Sequence, residues 1–287
     1  MIIAVASGKG GTGKTTLSLG LAAVMLGPVQ ILDCDVEAPN CHLFLKTRMD
    51  HIEEVGIPVP LVDEGLCDGC GECERACHFR AIAVIGKKPL IFPELCHGCG
   101  ACLYVCSRHA ISEHPRPIGV VESGHKGDIR LVQGRLNIGE PMAPPVIRAV
   151  KRHTTEVMRT VIDCPPGTSC PMVTAVRGSD VAVLVTEPTP FGLNDLALAV
   201  ETVRALEMPF GVAINRVGIG DERVADYCRA ENLPILAEIP DDRRVAEAIA
   251  RGLSLYAAVP GMRAHIVKLY RGLVYLMHDK RRLYAEL

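Results

Sequence analysis

The stretch Gly8-Lys9-Gly10-Gly11-Thr12-Gly13-Lys14-Thr15, continued by Thr16, decides the fold of this 287-residue chain. Gly8, Gly13, Lys14 and Thr15 stand at the spacing G-x4-G-K-T, a phosphate-loop pattern. The loop follows the short apolar run Ile2–Ala6 and opens a segment of helical spacing over 14–25, which is the context the pattern requires. Glycines let backbone N–H groups close around phosphate oxygens, and the helix N-terminus adds a positive dipole end. Lys14 is then expected to reach the β- and γ-phosphates, and the Thr15 hydroxyl to ligate Mg²⁺. A Gly-rich turn without a ligand is the plain alternative, and the strand–loop–helix context argues against it.

Outward from the loop, residues 29–32 read as a second buried strand ending in Asp33-Cys34-Asp35. Strand, loop, helix and strand in this order begin a parallel α/β sheet. The pattern breaks near residue 60 and resumes near 118. Beyond it, strands are expected at 129–132, 160–162, 180–185, 210–214 and 235–239. Helices are expected at 144–152, 191–206, 221–231, 243–251 and from 263 onward. Continuous apolar strands alternating with helices imply helices on both sheet faces. The expected fold class is α/β: a mostly parallel P-loop sheet interrupted by a small α+β insert of bacterial-ferredoxin type. Its expected parts are 1–60 (first part of the ATPase domain), 61–116 (the insert) and 117–287 (second part of the ATPase domain).

The break is rich in cysteine. Cys67, Cys70, Cys73 and Cys77 have the spacing x2, x2, x3, and Cys96, Cys99, Cys102 and Cys106 repeat it. This is the thiolate spacing of a two-cluster bacterial-type ferredoxin, in which the fourth cysteine of each run ligates the other cluster. One cluster would take Cys67, Cys70, Cys73 and Cys106, and the other Cys96, Cys99, Cys102 and Cys77. Each quartet is followed by a short helix and an apolar pair, Ala81-Ile82 and Ala110-Ile111, so the insert is an internal repeat. So small a unit has little core and is held by its clusters. The residue after each quartet, commonly proline in ferredoxins, is His78 or Ser107, which removes a rigid turn but no ligand. Zinc is the rival reading, since paired C-x2-C also makes zinc sites. Disulfides are a third, disfavoured by the spacing and by the expectation of no signal peptide, since Met1 leads straight into an apolar strand and a Gly-rich loop.

Composition narrows the classes. Hydrophobic residues make up 48% and charged residues 22%, as in a globular protein, and the formal net charge is −2. That balance gives no whole-chain electrostatic case for nucleic acid. Aromatics are 4% and tryptophan is absent, so stacking on bases is not expected. No apolar stretch approaches the length of about 18 residues needed to span a membrane. A cytoplasmic location is expected.

Lys9 departs from the ordinary loop. With it, Gly-Lys-Gly-Gly-Thr-Gly-Lys-Thr-Thr resembles the deviant phosphate loop of the MinD/ParA/Mrp and nitrogenase iron-protein superfamily. Asp33-Cys34-Asp35 resembles its switch I, and Asp163-Cys164-Pro165-Pro166-Gly167-Thr168-Ser169 its Walker B and switch II segment. Thr186-Glu187-Pro188-Thr189-Pro190-Phe191-Gly192 and Asn215-Arg216 match as well. With the insert, the chain resembles superfamily ATPases that contain a ferredoxin domain. The resemblance implies ATP and Mg²⁺ as ligands and a dimer in which Lys9 reaches the partner's nucleotide. It implies that Asp35 positions the attacking water, that Asp33 supports Mg²⁺ hydration and that Asp163 holds a Mg²⁺ water. Asn215 and Arg216 would lie at the adenine, with Pro240 and Asp242 in a loop against the base. Lys9, Lys14, Asp35 and Asp163 are thus the expected catalytic set.

Five cysteines remain. Cys34, Cys41, Cys164 and Cys228 read as small buried hydrophobes. Cys170 lies at the offset of a cluster-ligating cysteine in the nitrogenase iron protein, but no cysteine lies between 107 and 163 to serve as its companion. A dimer-interface metal site and a buried cysteine are its two readings. The terminal stripe Ile266, Leu269, Tyr270, Leu273, Val274 and Met277, followed by Lys280-Arg281-Arg282, reads as a helix packed on the sheet, with a membrane-binding helix as the alternative.

The reading that unites these features is an ATP-hydrolysing switch coupled to two [4Fe–4S] clusters, serving iron–sulfur or metal-cofactor assembly or electron delivery. Its partners would be a second copy or a paralogous ATPase, and a redox or metal-cofactor client. The alternative is a positioning ATPase at a membrane or on DNA, with regulatory or structural clusters. An electron carrier with a vestigial ATPase is disfavoured by the complete set Lys14, Thr15, Asp35 and Asp163.

Overall fold

A computed structural model describes residues 1–251, 259 and 261–285, with the side chains at 246, 249–250 and 279–285 left out of the description. Lys280-Arg281-Arg282 therefore lies outside the described side chains. In chain order the elements are β1 (Ile2–Ala6), α1 (Lys14–Val24), β2 (Val29–Asp33), α2 (Cys41–Leu45), β3 (His51–Val62), α3 (Glu72–Ala76), β4 (Ile82–Ile85), β5 (Lys88–Ile91), α4 (Ala101–Val105), β6 (Ile111–Lys126) and β7 (Ile129–Leu136). They continue as α5 (Ala143–Arg152), β8 (Arg159–Asp163), α6 (Cys170–Val176), β9 (Val181–Thr186), α7 (Pro190–Ala205), β10 (Phe210–Val217), α8 (Arg223–Ala230), β11 (Ile235–Pro240), α9 (Arg243–Ala250) and α10 (Met262–Ala285).

Nine strands form one sheet in the order β11-β10-β9-β1-β8-β2-β7-β6-β3. From β11 to β7 the pairing is parallel, and β6 and β3 add an antiparallel edge. Alternate residues of each strand serve opposite faces. Thus Ala4 and Ala6 pack with α5, α6, α7 and α8, whereas Ile3 and Val5 pack with α1 and α10. The stripe Ile266, Leu269, Leu273 and Met277 is buried in this second layer, which accounts for α10 as a packed helix. Among the described residues no helix is long and apolar enough to cross a membrane.

The antiparallel edge is where the sequence expectation and the structure part. The pattern was expected to resume near 118, but β6 starts at Ile111 and pairs with β3 along its length, Val62 opposite Ile111. Pro58, Pro60, Pro115 and Pro117 obscure the strand pattern. They are tolerated because β3 is an edge strand and β6 joins β7 only from Gly119 onward. Gly119 pairs with Leu136 at the C-terminal end of β7, so the ribbon runs on past the sheet by roughly 25 Å at about 3.4 Å per residue. The cysteine-rich segment hangs from its tip. It therefore projects from the same end of the sheet as the phosphate loop and the strand-terminal aspartates.

Candidate functional site

The phosphate loop joins β1 to α1. Gly13 sits in the left-handed region, φ 95°, as the N-cap of α1. A Cβ there would lie 2.4 Å from Asn215 Nδ2, so only glycine fits. Gly11 has φ 80°, and a Cβ on Gly8 would collide with the Asp195 carbonyl at 2.1 Å. Gly10 has open space around it. Thr12 is buried.

Parallel pairing of β2 with β8 sets Asp33 opposite Asp163. Both are buried. Asp163 Oδ2 accepts from Thr15 Oγ1 at 2.6 Å, and Oδ1 accepts from Ser18 Oγ at 3.0 Å. Asp33 Oδ2 accepts from the backbone N–H groups of Asn40 and Cys41, each at 3.0 Å, and Oδ1 from Asp35 N at 3.2 Å. Asp33 thus fixes the start of α2, while Asp163 fixes the start of α1. Cys41 Sγ lies 3.7 Å from Asp163 Oδ2. Ligand atoms of Asp33, Cys41 and Asp163 lie within 4.8 Å of one another. Ser18 was not singled out from the sequence and Cys41 was read only as a small buried hydrophobe, since nothing local marks partners of Asp163 that lie 145 and 122 residues away.

Burial raises these carboxyls. Asp163 rises to about 7, with the charge of Asp33 adding to the effect and Thr15 and Ser18 opposing it. Asp33 rises to about 6 through burial, opposed by its backbone donors. Asp35, half-buried, also rises to about 6 through burial, opposed by Lys14 and reinforced by Asp163. Three acids with raised affinity for protons around a buried Lys14 and the Thr15 hydroxyl form a site suited to a cation and a polyphosphate, whose charges replace those protons.

An open pocket is lined by Gly13, Thr16, Asn215, Arg216, Pro240 and Asp242, among them the residues expected at the base. Asn215 Nδ2 donates to the Thr12 carbonyl at 2.8 Å, so this side chain braces the phosphate loop. The Asp242 carboxylate accepts from Arg244 Nη2 at 2.6 Å and from Arg244 N at 2.9 Å. Lys9 Nζ pairs with Glu187 Oε2 at 3.1 Å.

The cysteine-rich segment between β3 and β6 folds as two matching halves. Gly71 and Gly100, at φ 80° and 74°, are the N-caps of α3 and α4. Ala81 N donates to Cys77 Sγ at 3.3 Å, and Ala110 N to Cys106 Sγ at 3.4 Å. Ala81, Ile82, Ala110 and Ile111 are buried. Cys67, Cys70, Cys73 and Cys106 line one cavity, beside Val62 and Ile111. Cys77, Cys96, Cys99 and Cys102 line a second, beside Pro58 and Pro60, nearer the sheet. Burial pushes the Cys102 thiol up to about 11, and Cys96 and Cys99 add to it. Thiolates crowded in this way need cationic partners.

Sulfur spacing bears on which partner fits. Among the described residues, no three of these eight sulfurs come within 4.8 Å of one another. A single tetrahedral zinc with Zn–S of about 2.3 Å draws its sulfurs to roughly 3.8 Å. Four thiols around each cavity, with backbone N–H groups donating to Cys77, Cys96 and Cys106 Sγ, suit a metal centre bound through thiolates. The other cysteines differ. Cys34, Cys41, Cys164 and Cys228 are buried. Cys170 is exposed at the first position of α6 and, among the described residues, belongs to no group of three metal-ligating side chains.

A strand–loop–helix phosphate site with aspartates at two adjacent strand ends defines a P-loop nucleotide-binding protein. Residues 3–255 match the family model "CobQ/CobB/MinD/ParA nucleotide binding domain", and the chain belongs to that family. It is 33% identical over 279 residues to an uncharacterized protein of Methanocaldococcus jannaschii, covering 95% of this chain and 96% of that one. It is 26% identical over 286 residues to an iron–sulfur cluster carrier protein of Pyrococcus abyssi, covering 91% and 82%. The fold matches the cell division ATPase MinD of Pyrococcus furiosus with a TM-score of 0.58 at 22% identity, over 96% of this chain and 98% of that one.

Proposed function

We propose that this protein is a cytoplasmic, ATP-hydrolysing, dimeric switch that carries two [4Fe–4S] clusters and serves iron–sulfur or metal-cofactor assembly or ATP-gated electron delivery. The observation that carries the reading is the pair of thiol cavities, each lined by three cysteines of one run and the fourth of the other, at the nucleotide end of the sheet. The similarity to an iron–sulfur cluster carrier protein supports the same class of client.

In the phosphoryl transfer, Lys14 and the loop N–H groups hold the phosphate oxygens and neutralise their charge. Thr15 and Asp163, hydrogen-bonded to each other, would hold Mg²⁺ and its waters, and Asp33 keeps α2 seated beside them. Asp35 orients the attacking water. Such a reaction asks mainly for positioning and charge neutralisation, which these residues supply. The clusters, when bound, supply one-electron chemistry. Cys67, Cys70, Cys73 and Cys106 would hold one, and Cys96, Cys99, Cys102 and Cys77 the other. The second partner in the dimer is a further copy or a paralogous ATPase.

Nucleotide and clusters have a physical route between them. Just beyond Asp35, the Val36 carbonyl accepts from Leu136 N at 2.8 Å. Asn137 N donates to the Ile118 carbonyl at 2.9 Å. Arg116, on the projecting part of β6, makes a two-point ion pair with Glu140 at 2.6 and 3.2 Å and lies within electrostatic reach of Cys96. Movement of switch I therefore bears on the neck of the insert.

The test begins with anoxic analysis of the holoprotein for iron and acid-labile sulfide, about eight of each per chain. Redox titration followed by electron paramagnetic resonance, with ADP and with a non-hydrolysable ATP analogue, then measures coupling. A coupling of about 1.4 kcal/mol appears as roughly 60 mV for a one-electron cluster. Stoichiometric zinc without sulfide overturns the cluster assignment. Identical potentials in both nucleotide states overturn the coupling, and ATP-dependent binding to liposomes or DNA points instead to a positioning ATPase.

A further inference from the structure

Two lysines of the phosphate loop are spent differently. Lys14 is buried among the switch carboxylates, its charge acting on Asp35 and Asp163. Lys9 turns the other way, to Glu187 at the end of β9. Glu187 is nearly enclosed, with its side chain 8% exposed, and it divides its two oxygens between two cations. Oε2 takes Lys9 Nζ at 3.1 Å and Oε1 takes Arg216 Nη1 at 2.8 Å.

The frame around Glu187 is rigid. Its carbonyl accepts from Thr189 N at 2.8 Å, and a Cβ on Gly192 would lie 2.2 Å from that carbonyl oxygen, so the start of α7 clamps the backbone. Thr186 Oγ1 donates to the Gly192 carbonyl at 2.8 Å. Arg216 holds a left-handed backbone, φ 56°, immediately after Asn215, which braces Thr12. The carboxylate is thus a fixed post between the start of the phosphate loop and the base-side wall.

We propose that Glu187 is a positioning residue for Lys9. It keeps the ammonium on its own subunit until a second nucleotide-loaded subunit arrives, and Arg216 is the standing counter-ion that lets it release Lys9. The inference rests on the reading that Lys9 acts on the nucleotide of a second subunit. Its physical basis is the shared carboxylate. An enclosed carboxylate stripped of its only cation is strongly unfavourable, but one that keeps a second cation gives up the first at much lower cost. A polyphosphate, with more charge and more acceptors, then competes successfully for Lys9. With Lys9 paired at home, a subunit without a partner holds its signature lysine out of reach of its own phosphates.

The two sides of the post have opposite consequences. Glu187→Gln keeps the shape and an acceptor for Arg216 but frees Lys9, so dimerisation becomes easier. Arg216→Gln leaves Lys9 as the sole cation on Glu187, so dimerisation becomes harder. The measurement is the monomer–dimer midpoint in protein concentration by sedimentation, with the holoprotein under anoxic conditions. Mg²⁺ and a non-hydrolysable ATP analogue are held at saturation, so changes in nucleotide affinity drop out. Glu187→Gln should lower the midpoint about tenfold and Arg216→Gln raise it about tenfold, the change expected for two ion pairs, one in each subunit, of about 0.7 kcal/mol each. In a Lys9→Ala background both shifts should vanish, which a merely structural role of Glu187 would not produce. A Glu187→Gln protein that dimerises no better than the unaltered one overturns this inference alone, as does an Arg216→Gln shift in the same direction or persistence of either shift without Lys9. Absence of any nucleotide-dependent dimer in the unaltered protein overturns both the inference and the dimeric reading beneath it.

Discussion

Replacing Asp163 by Asn should remove most of a pH dependence that the nucleotide-free protein carries at its facing strand-end carboxyls. Asp33 and Asp163 face each other at the ends of β2 and β8, both buried, and burial raises them from 3.8 to about 6 and about 7. An acid whose folded value exceeds its unfolded one holds its proton more tightly when folded. Its stabilising effect is complete at low pH and is lost as pH rises through the folded value, so stability falls with rising pH. Between pH 5.5 and 7.0, linkage gives a loss of about 2 kcal/mol from the pair together, the larger share from Asp163. Asp163→Asn deletes the larger share and also the neighbouring charge that opposes ionisation of Asp33, while Asn can still meet Thr15 and Ser18. Calorimetric melting of both proteins, nucleotide-free and anoxic, at pH 5.5 and 7.0 tests this. Subtracting one protein from the other cancels the pH sensitivity of the clusters and the rest of the chain. The difference in Tm should change by roughly 4 °C across the window, the variant gaining relative to the unaltered protein as pH rises. Parallel curves would mean that the two carboxyls do not share a proton-hungry site. Mg²⁺ and ATP should flatten the curve of the unaltered protein.

Cys77→Ala should lose the cluster of Cys96, Cys99 and Cys102 and leave the other, so iron falls from about eight to about four per chain; loss of both clusters, or of the one held by Cys67, Cys70 and Cys73, refutes the crossed assignment. Lys14→Ala should weaken nucleotide binding about 10- to 100-fold by calorimetric titration, the value of one charge-assisted contact to phosphate; unchanged affinity would place the phosphates elsewhere. Arg116→Gln should leave both clusters in place but shrink the nucleotide-dependent shift in potential, because it unties the insert neck from Glu140. A shift equal to that of the unaltered protein would route the coupling by another path.

Much of this protein is legible in its sequence because its decisive signals are local. The phosphate loop is nine consecutive residues, and the apolar strands and amphipathic helices repeat over short windows. The two quartets declare a thiol site through spacing alone. The α/β class, the parallel sheet, helices on both faces and membership of a MinD-like family all follow from such signals. What tertiary structure decided is long-range. The β3–β6 ribbon was hidden by Pro58, Pro60, Pro115 and Pro117, and only its place at the sheet edge makes those prolines compatible with a strand. The partners of Asp163 at Ser18 and Cys41, and the sharing of Glu187 between Lys9 and Arg216, join residues 29 to 178 positions apart. Spacing proposes that Cys77 and Cys106 change places, but which cavity lies nearer the sheet depends on how Pro58 and Pro60 pack. Periodicity and spacing report the conformation a segment prefers and the ligand it suits. They do not report which distant side chain will neutralise a buried charge, because that is set only when the strands pair and their ends are brought together.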